Sequence, residues 1–252
     1  DVYVIKIASG FYQNKLLGLS NGQGMMVVFD QKNGKPLGLL QDEGYLTDVR
    51  TAVAGAICAK YLAPNNIQAI GIIGTGVQAR MQLEYLKSVT DCRSAIVWGR
   101  SKSALDQYRT SMADSGFIIE TTMALDQVTD NCNLIVTCTA SEKPLIIKDQ
   151  IKGKIHITAM GSDTPNKQEL DSNVLSKADL IIADSRSQCE VRGEIHHAIK
   201  NKIVSMDSIV ELGEIINGDR QGRTTGSELT VADLTGVAVQ DIQISKAVLS
   251  NI

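Results

Sequence analysis

Between residues 69 and 183 the chain repeats one alternation, in which a short run of β-branched and aliphatic residues is followed by a stretch of helical periodicity. The runs are AIGII (69–73), AIVW (95–98), FIIE (117–120), LIVTC (134–138), KIHITA (154–159) and LIIA (180–183). Strands this short and this apolar have no polar face, so each must be covered on both sides, and the intervening helices supply the cover. The pattern predicts βαβ units and a doubly wound parallel sheet in an α/β domain. Between the first two runs, Met81, Tyr85, Leu86 and Val89 fall on one face of a helix.

The flanks read differently. VYVIKIA and GMMVVFD read as strands, and Asn33-Gly34 turns the latter into PLGLL as a hairpin, so residues 1 to 43 form a more antiparallel unit. YLTDVRTAVAGAICAKYLA (45–63) is an Ala-rich connector helix stopped by Pro64. The tail from Thr230 to Ile252, with VADLTGVAVQDIQISKAVL, reads as helical after a Gly and as returning to the first unit. The division expected is a smaller α+β unit of residues 1–62 and 230–252, and a dinucleotide-binding unit of 63–229. Asp1 falls inside a strand, so the smaller unit is expected to be incomplete at its N terminus.

Composition narrows the classes of partner. The 25 Lys and Arg against 28 Asp and Glu give a formal charge of -3, without a basic block or aromatics to stack on bases, which argues against nucleic acid. No run approaches the roughly 20 apolar residues of a membrane helix. Five cysteines (Cys58, Cys92, Cys132, Cys138, Cys189), none in a C-x-x-C pair, read as free thiols of a cytoplasmic protein and give no zinc signal.

Chemistry is first suggested by GIIGTGVQAR, where Gly74-x-Gly76-x-x-Ala79 lies between a strand and a helix. Gly74 permits a tight turn, Gly76 lets the backbone approach a pyrophosphate, and Ala79 lets helix and strand pack closely. The exposed N–H groups of the helix start favour that anion, although two glycines in such a loop also serve a plain turn. An Asp or Glu at the end of the second strand accepts from the ribose of NAD. This chain has Gly99, which leaves room, then Arg100, Ser101 and Lys102, which permit the 2′-phosphate of NADP or form a solvated helix start.

Polar residues at strand ends add candidates: Thr139 after LIVTC, and the loop Gly161 to Lys167 with its carboxylate Asp163, which by itself reads as a turn residue before Pro165. Lys6 and Arg50 each interrupt an apolar stretch. A buried base requires an anion, and from the residues alone an internal salt bridge is favoured over a ligand. His156 reads as a core residue, and the pair His196-His197 lacks further metal ligands.

The phrases KIASGFYQN, LTDVRTAVAGAICAKYLAP, IGIIGTGVQARMQLEYL, GSDTPNKQELD, VELGEI and TVADLTGVAVQDI, running nearly end to end, resemble the ornithine cyclodeaminase and mu-crystallin family, and within it the cyclic ketimine reductases of Δ1-pyrroline-2-carboxylate. The resemblance implies a Rossmann-type domain with a smaller substrate and dimerisation domain, a homodimer, and a small cyclic imino acid or amino acid as substrate. It implies that Lys6 and Arg50 bind the substrate carboxylate, Lys6 as part of the catalytic set and Arg50 also near the cofactor phosphates. Asp163 becomes the acid/base carboxylate. Val77 and Gln78 lie on the pyrophosphate with Gly74 and Gly76, Thr139 and Met160 near the ribose and nicotinamide, Lys167 among the cofactor contacts, and Thr235 with Gly236 on the nicotinamide side of the substrate.

The family also carries an N-terminal stretch, with another carboxylate-binding Arg, ahead of the position matching Asp1. Where its cyclodeaminases place an Asp to hold NAD, this chain has Gly99 and Arg100. A cyclodeaminase returns its hydride each cycle and gains nothing from an exchangeable cofactor, whereas a reductase needs exchange. The expected activity is therefore NADP(H)-dependent reduction of Δ1-pyrroline-2-carboxylate to proline, with NAD(H) as a second cofactor. An ornithine cyclodeaminase and a non-catalytic, crystallin-like NADP carrier are the alternatives.

Overall fold

The computed structural model describes residues 1–19 and 22–251. The chain opens with three antiparallel strands, β1 (Val2–Gly10), β2 (Gly22–Asp30) and β3 (Pro36–Leu40), in the order β1-β2-β3. The β2–β3 turn forms where Asn33-Gly34 predicts it: Gly34 takes φ +73, and the Asp30 carboxylate accepts from the N–H groups of Lys32 and Asn33 at 2.7 and 3.2 Å. Helix α1 (Tyr45–Leu62) follows and ends before Pro64.

The repeated alternation then lays down β4 (Ile70–Ile73), α2 (Val77–Leu86), β5 (Ser94–Trp98), α3 (Lys102–Ser111), β6 (Ile118–Thr122), α4 (Leu125–Asn131), β7 (Leu134–Thr137) and β8 (His156–Ala159). After these come α5 (Ser172–Leu175), β9 (Leu180–Ala183), α6 (Arg186–Cys189), α7 (Glu194–Lys200), β10 (Ile209–Glu211), α8 (Leu212–Asn217), β11 (Thr230–Asp233) and α9 (Ala238–Leu249). The eight strands β4 to β11 form one parallel sheet in the order β10-β9-β11-β8-β7-β4-β5-β6.

The chain divides into two compact units, Asp1–Thr51 with Val237–Ile252, and Ala52–Gly236. In the smaller one, Met26 and Val28 point to the buried side of the sheet, and the Ser245 hydroxyl of α9 lies 3.3 Å from the Met26 sulfur. Tyr3, Ile5, Ile7, Leu37 and Leu39 point the other way and are exposed. Tyr3 stacks on Phe29 with ring centroids 4.7 Å apart.

In the larger unit the sheet is buried on both faces except at its edge strand β6, where Ile118 and Glu120 are exposed. Ile70 and Ile72 pack with Leu83, Leu105 and Tyr108 on one side, and Ile73, Ile135 and Ile157 pack with Val128, Val174 and Ile195 on the other. At about 25 cal/mol per Å² of apolar surface, each such fully buried side chain contributes about 1.5–3 kcal/mol. The Tyr108 hydroxyl donates to the Ala79 carbonyl at 3.0 Å, tying α3 to the start of α2.

One sequence expectation is corrected here. Thr230–Asp233 is not the start of a helix but strand β11, inserted between β8 and β9 and paired with both. All four residues are buried, and four buried residues with an Ala among them carry no period that separates strand from helix. The helix of the tail begins only at Ala238. Strand β10, three residues long, was not legible as a run.

Candidate functional site

The order of the sheet places a switch point beside β4. From it the chain first winds outward to β5 and β6, then crosses to β7 and β8 on the other side. In open α/β sheets ligands bind outside the carboxyl ends of the strands at such a point. The glycine loop follows β4 directly.

Gly74 is required by the fold. Its φ is +133, its N–H donates to the Trp98 carbonyl at 3.0 Å, and a Cβ would sit 3.0 Å from the Cys138 carbonyl oxygen. Gly76 is different. It is the N-cap of α2 with φ −78 and ψ −167, a conformation open to any residue, and a Cβ there would meet nothing within 4 Å. No side chain caps the start of this helix, at Val77 and Gln78. Val77 is exposed and Ala79 is buried against the sheet. The residues present fit a pyrophosphate: a helix start left uncapped, with a glycine that the fold itself does not demand.

At the end of β5, Ser101 caps α3 by accepting from Ala104 N at 3.4 Å, while Arg100 and Lys102 are exposed. Gly99 is buried between the glycine loop and α3. A Cβ on Gly99 would lie 2.7 Å from Thr75 Cγ2 and 2.9 Å from Leu105 Cδ2, so this glycine serves packing between the loop and α3.

Beyond β7 and β8 the loops converge on a carboxylate the sequence reading did not single out. Glu169 is fully buried and accepts from Thr139 N and Oγ1 at 2.6 and 2.7 Å, from Thr137 Oγ1 at 2.7 Å and from Gly161 N at 2.9 Å. Glu194 accepts from the N–H groups of Glu169 and Leu170 at 2.7 and 3.0 Å. Asp233, at the end of β11, accepts from Ile195 N at 2.8 Å, and its Oδ1 is buried without a partner. Asp184, just after β9, accepts from Thr235 Oγ1 at 3.1 Å and Gly236 N at 2.6 Å, and Gln188 Nε2 donates to the Gly236 carbonyl at 2.9 Å.

Burial pushes all four carboxyls upward, Asp233 to about 8 and Glu194 well above the usual range. For Glu194 the charges of Asp233 and Glu169 add to the effect of burial. The available signal was position: Asp184 and Asp233 each end an apolar strand.

The other sequence candidates fall into place around this edge. Met160 is buried directly after β8, its N–H donating to the Thr137 carbonyl at 3.1 Å. Asp163 is exposed and pairs with Lys167 at 2.6 Å, and the Ser162 hydroxyl donates to the Lys167 carbonyl at 2.5 Å. Thr235 and Gly236, the latter with φ +83, close the larger unit just beyond β11. His156 is a core residue between the Thr230 and Thr158 hydroxyls at 2.8 and 2.9 Å, and burial lowers its pKa to about 3.

Lys6 and Arg50, both in the smaller unit, meet the same protein carboxylate. Lys6 Nζ is 2.8 Å and Arg50 Nε 3.4 Å from Asp241 Oδ1, and Arg50 Nη1 donates to Gln240 Oε1 at 2.8 Å. The internal salt bridge favoured from the residues alone is thus present, with two cations sharing one anion.

A cavity of about 830 Å³ opens on the opposite edge of the large sheet, at the amino ends of β4, β7 and β8. Arg223, on its wall, donates to the carbonyls of Leu62, Ile155 and Glu228 at 2.6, 3.0 and 2.8 Å, and Lys152 pairs with Asp130 at 2.5 Å. These cations are engaged by the protein, and the glycine loop lies at the other end of the strands. Among the described residues no helix is long and apolar enough to cross a membrane.

Fold and glycine loop together define an α/β protein of the dinucleotide-binding, doubly wound class. Comparison with known proteins narrows this. The chain belongs to the ornithine cyclodeaminase/mu-crystallin family, whose model matches residues 1–252. It is 40% identical over 245 residues to an uncharacterized cyclodeaminase of Sinorhizobium fredii, covering 96% of this chain and 74% of that protein. Among solved structures it resembles an archaeal alanine dehydrogenase dimer with bound NAD, with a TM-score of 0.93 at 32% identity, covering 99% of this chain and 77% of that one. It also resembles the Thermococcus litoralis Δ1-pyrroline-2-carboxylate reductase in complex with NADH and L-proline, with a TM-score of 0.92 at 27% identity, covering 98% and 77%.

Proposed function

We propose that this protein is an NAD(P)H-dependent reductase of a small 2-imino acid, and that Δ1-pyrroline-2-carboxylate, reduced to L-proline, is its substrate. The observation that carries the reading is Gly76, a glycine whose φ and surroundings would accept any side chain, at the uncapped start of α2 beside the switch point. Such a residue answers to the close approach of a ligand rather than to the fold. The likeness to a reductase holding both NADH and L-proline supports the substrate class.

The bound dinucleotide supplies the hydride. Gly74, Gly76, Val77 and Gln78 hold its pyrophosphate, and Arg100, Ser101 and Lys102 receive the 2′-phosphate when NADPH is used. Thr139 and Met160 form the surface for the ribose and nicotinamide, Lys167 contributes to the cofactor side, and Thr235 and Gly236 flank the substrate. Thr139 offers position rather than a free donor, because its N–H and hydroxyl are both engaged by Glu169. Lys6 and Arg50 bind the substrate carboxylate, which becomes a second anion for two cations that now share Asp241. Hydride adds most readily to an iminium, and Asp163 holds the proton at the ring nitrogen.

The alanine dehydrogenase likeness, higher in identity than the reductase, favours a second reading in which the imine is acyclic. A cyclodeaminase is separated from both by release of ammonia from ornithine without added reduced cofactor, which the reductase reading predicts to be absent. A carrier is separated by the absence of turnover with any imine.

We also propose a homodimer built on the smaller unit. Ile5, Val27 and Leu39 are in register across its three strands, and Ile5 and Leu39 are exposed on the sheet face with Tyr3, Ile7 and Leu37. A contiguous apolar face of this kind marks an interface.

A further inference from the structure

We propose that Glu169 is a positioning residue, a buried carboxylate that ties the loop after β7 to the loop after β8 and so fixes the surface met by the nicotinamide half of the dinucleotide. The inference rests on the dinucleotide reading above.

The geometry assigns a partner to every polar atom of this residue. Oε1 accepts from Thr139 N and Oγ1, and Oε2 accepts from Thr137 Oγ1 and Gly161 N, at 2.6 to 2.9 Å. Its own N–H donates to Glu194 Oε1 at 2.7 Å, and its carbonyl accepts from Leu145 N and Ile146 N at 2.7 and 3.1 Å. One residue thereby ties the ends of β7 and β8, the 145–146 segment and α7 to each other. The two loops also approach so closely that a Cβ on Gly161 would collide with the Thr139 carbonyl and with the Glu169 carboxylate.

The chemistry demands a carboxylate. Each of its oxygens faces one peptide N–H, Thr139 on Oε1 and Gly161 on Oε2, and a peptide N–H cannot turn into an acceptor. Glutamine in this place sets its amide N–H₂ against one of them in either flip. A buried donor facing a donor drives the loops apart, which displaces Thr139 or Gly161.

Glu169 touches neither the glycine loop nor α2 in any of these bonds. Its loss therefore acts more strongly on the nicotinamide half of the cofactor than on the pyrophosphate, which it reaches only through the Cys138–Thr139 peptide beside Gly74. The test compares NADH with ADP, which carries the adenosine and both phosphates but no nicotinamide, on wild-type protein and Glu169→Gln by fluorescence or calorimetric titration. The expected result is a loss of NADH affinity of about tenfold or more with ADP affinity kept within about twofold, the size of effect one unsatisfied buried donor produces. NADH and ADP both unchanged, or both lost equally, overturns the proposal.

Should Glu169→Gln fail to fold, Thr137→Val removes a single donor in an isosteric side chain away from the cofactor surface. It is expected to weaken NADH by about threefold with ADP unchanged, within the range of one lost hydrogen bond; unchanged NADH affinity there overturns the proposal. Wild-type protein that binds neither NADH nor ADP overturns the dinucleotide reading and the inference with it. Wild-type protein that binds NADH but reduces no imine contradicts only the proposed reaction.

Discussion

At the scale of single residues, Asp163 and Asp233 show how differently two carboxylates at one sheet edge behave. Asp163 is exposed and paired with Lys167, and an exposed pair contributes about 0–1 kcal/mol to stability. Asp163→Asn is therefore expected to leave thermal stability nearly unchanged while kcat for imine reduction falls by about 10²–10⁴, the range of a lost acid/base group. A near-normal kcat identifies it as a turn residue before Pro165. Asp233 is buried, with its carboxyl raised to about 8 by burial first, against about 3.9 in an unfolded chain. Between those pH values the folded state holds a proton that the unfolded state has released, so the stability this group contributes is fully present below about 4 and is lost as pH rises toward about 8, by at most about 1.4 kcal/mol per unit. Unpartnered Oδ1 agrees with this, since such an oxygen is less costly to bury neutral than charged. Asp233→Asn is expected to reduce that slope in melting curves taken from pH 5 to 8, and an unchanged slope contradicts the assignment. The sequence showed Asp163 because it stands in an exposed polar loop. It did not show Glu169 or Glu194, because their roles depend on backbone N–H and hydroxyl donors, most of them 24 to 32 residues away.

At the scale of elements, the start of α2 is where fold and function separate. Gly74 has a left-handed φ and a crowded Cβ position, so its replacement strains the loop; Gly76 has neither. Gly76→Val is expected to retain the fold and a melting temperature close to wild type, since a surface substitution without strain changes stability by about 0.5 kcal/mol or less. Dinucleotide binding should be lost. Retained NADH affinity in this variant would falsify the pyrophosphate site. Strands β4 to β9 were legible because each is a short run of mostly apolar residues set apart by a helical or loop segment. Strand β11 was not: Thr230 and Asp233 are polar yet fully buried, Thr230 by hydrogen bonds to His156 and the Leu62 carbonyl, and only the neighbouring strands reveal that. The Asn33-Gly34 turn was legible at once, because its φ is a property of two residues.

At the scale of the whole molecule, two proposed properties can be measured, an association state and a reaction. Ile5→Glu places a charge on the exposed face of β1, at a residue half exposed in the single chain. Sedimentation is expected to show the wild type as a dimer and this variant shifted to monomer with its secondary structure intact, as burying an unpaired carboxylate is costly. Two dimers indistinguishable in concentration dependence would place the interface elsewhere. The central claim is the reaction itself. Its most direct measurement follows oxidation of NADPH and NADH, separately, by the purified protein with Δ1-pyrroline-2-carboxylate, its six-membered homologue, and pyruvate with ammonia, and quantifies the amino acid formed. The expected result is cofactor oxidation with Δ1-pyrroline-2-carboxylate matched one to one by proline, and no ammonia from ornithine alone. Ammonia and proline formed from ornithine without added reduced cofactor, with no oxidation by any imine, would contradict it.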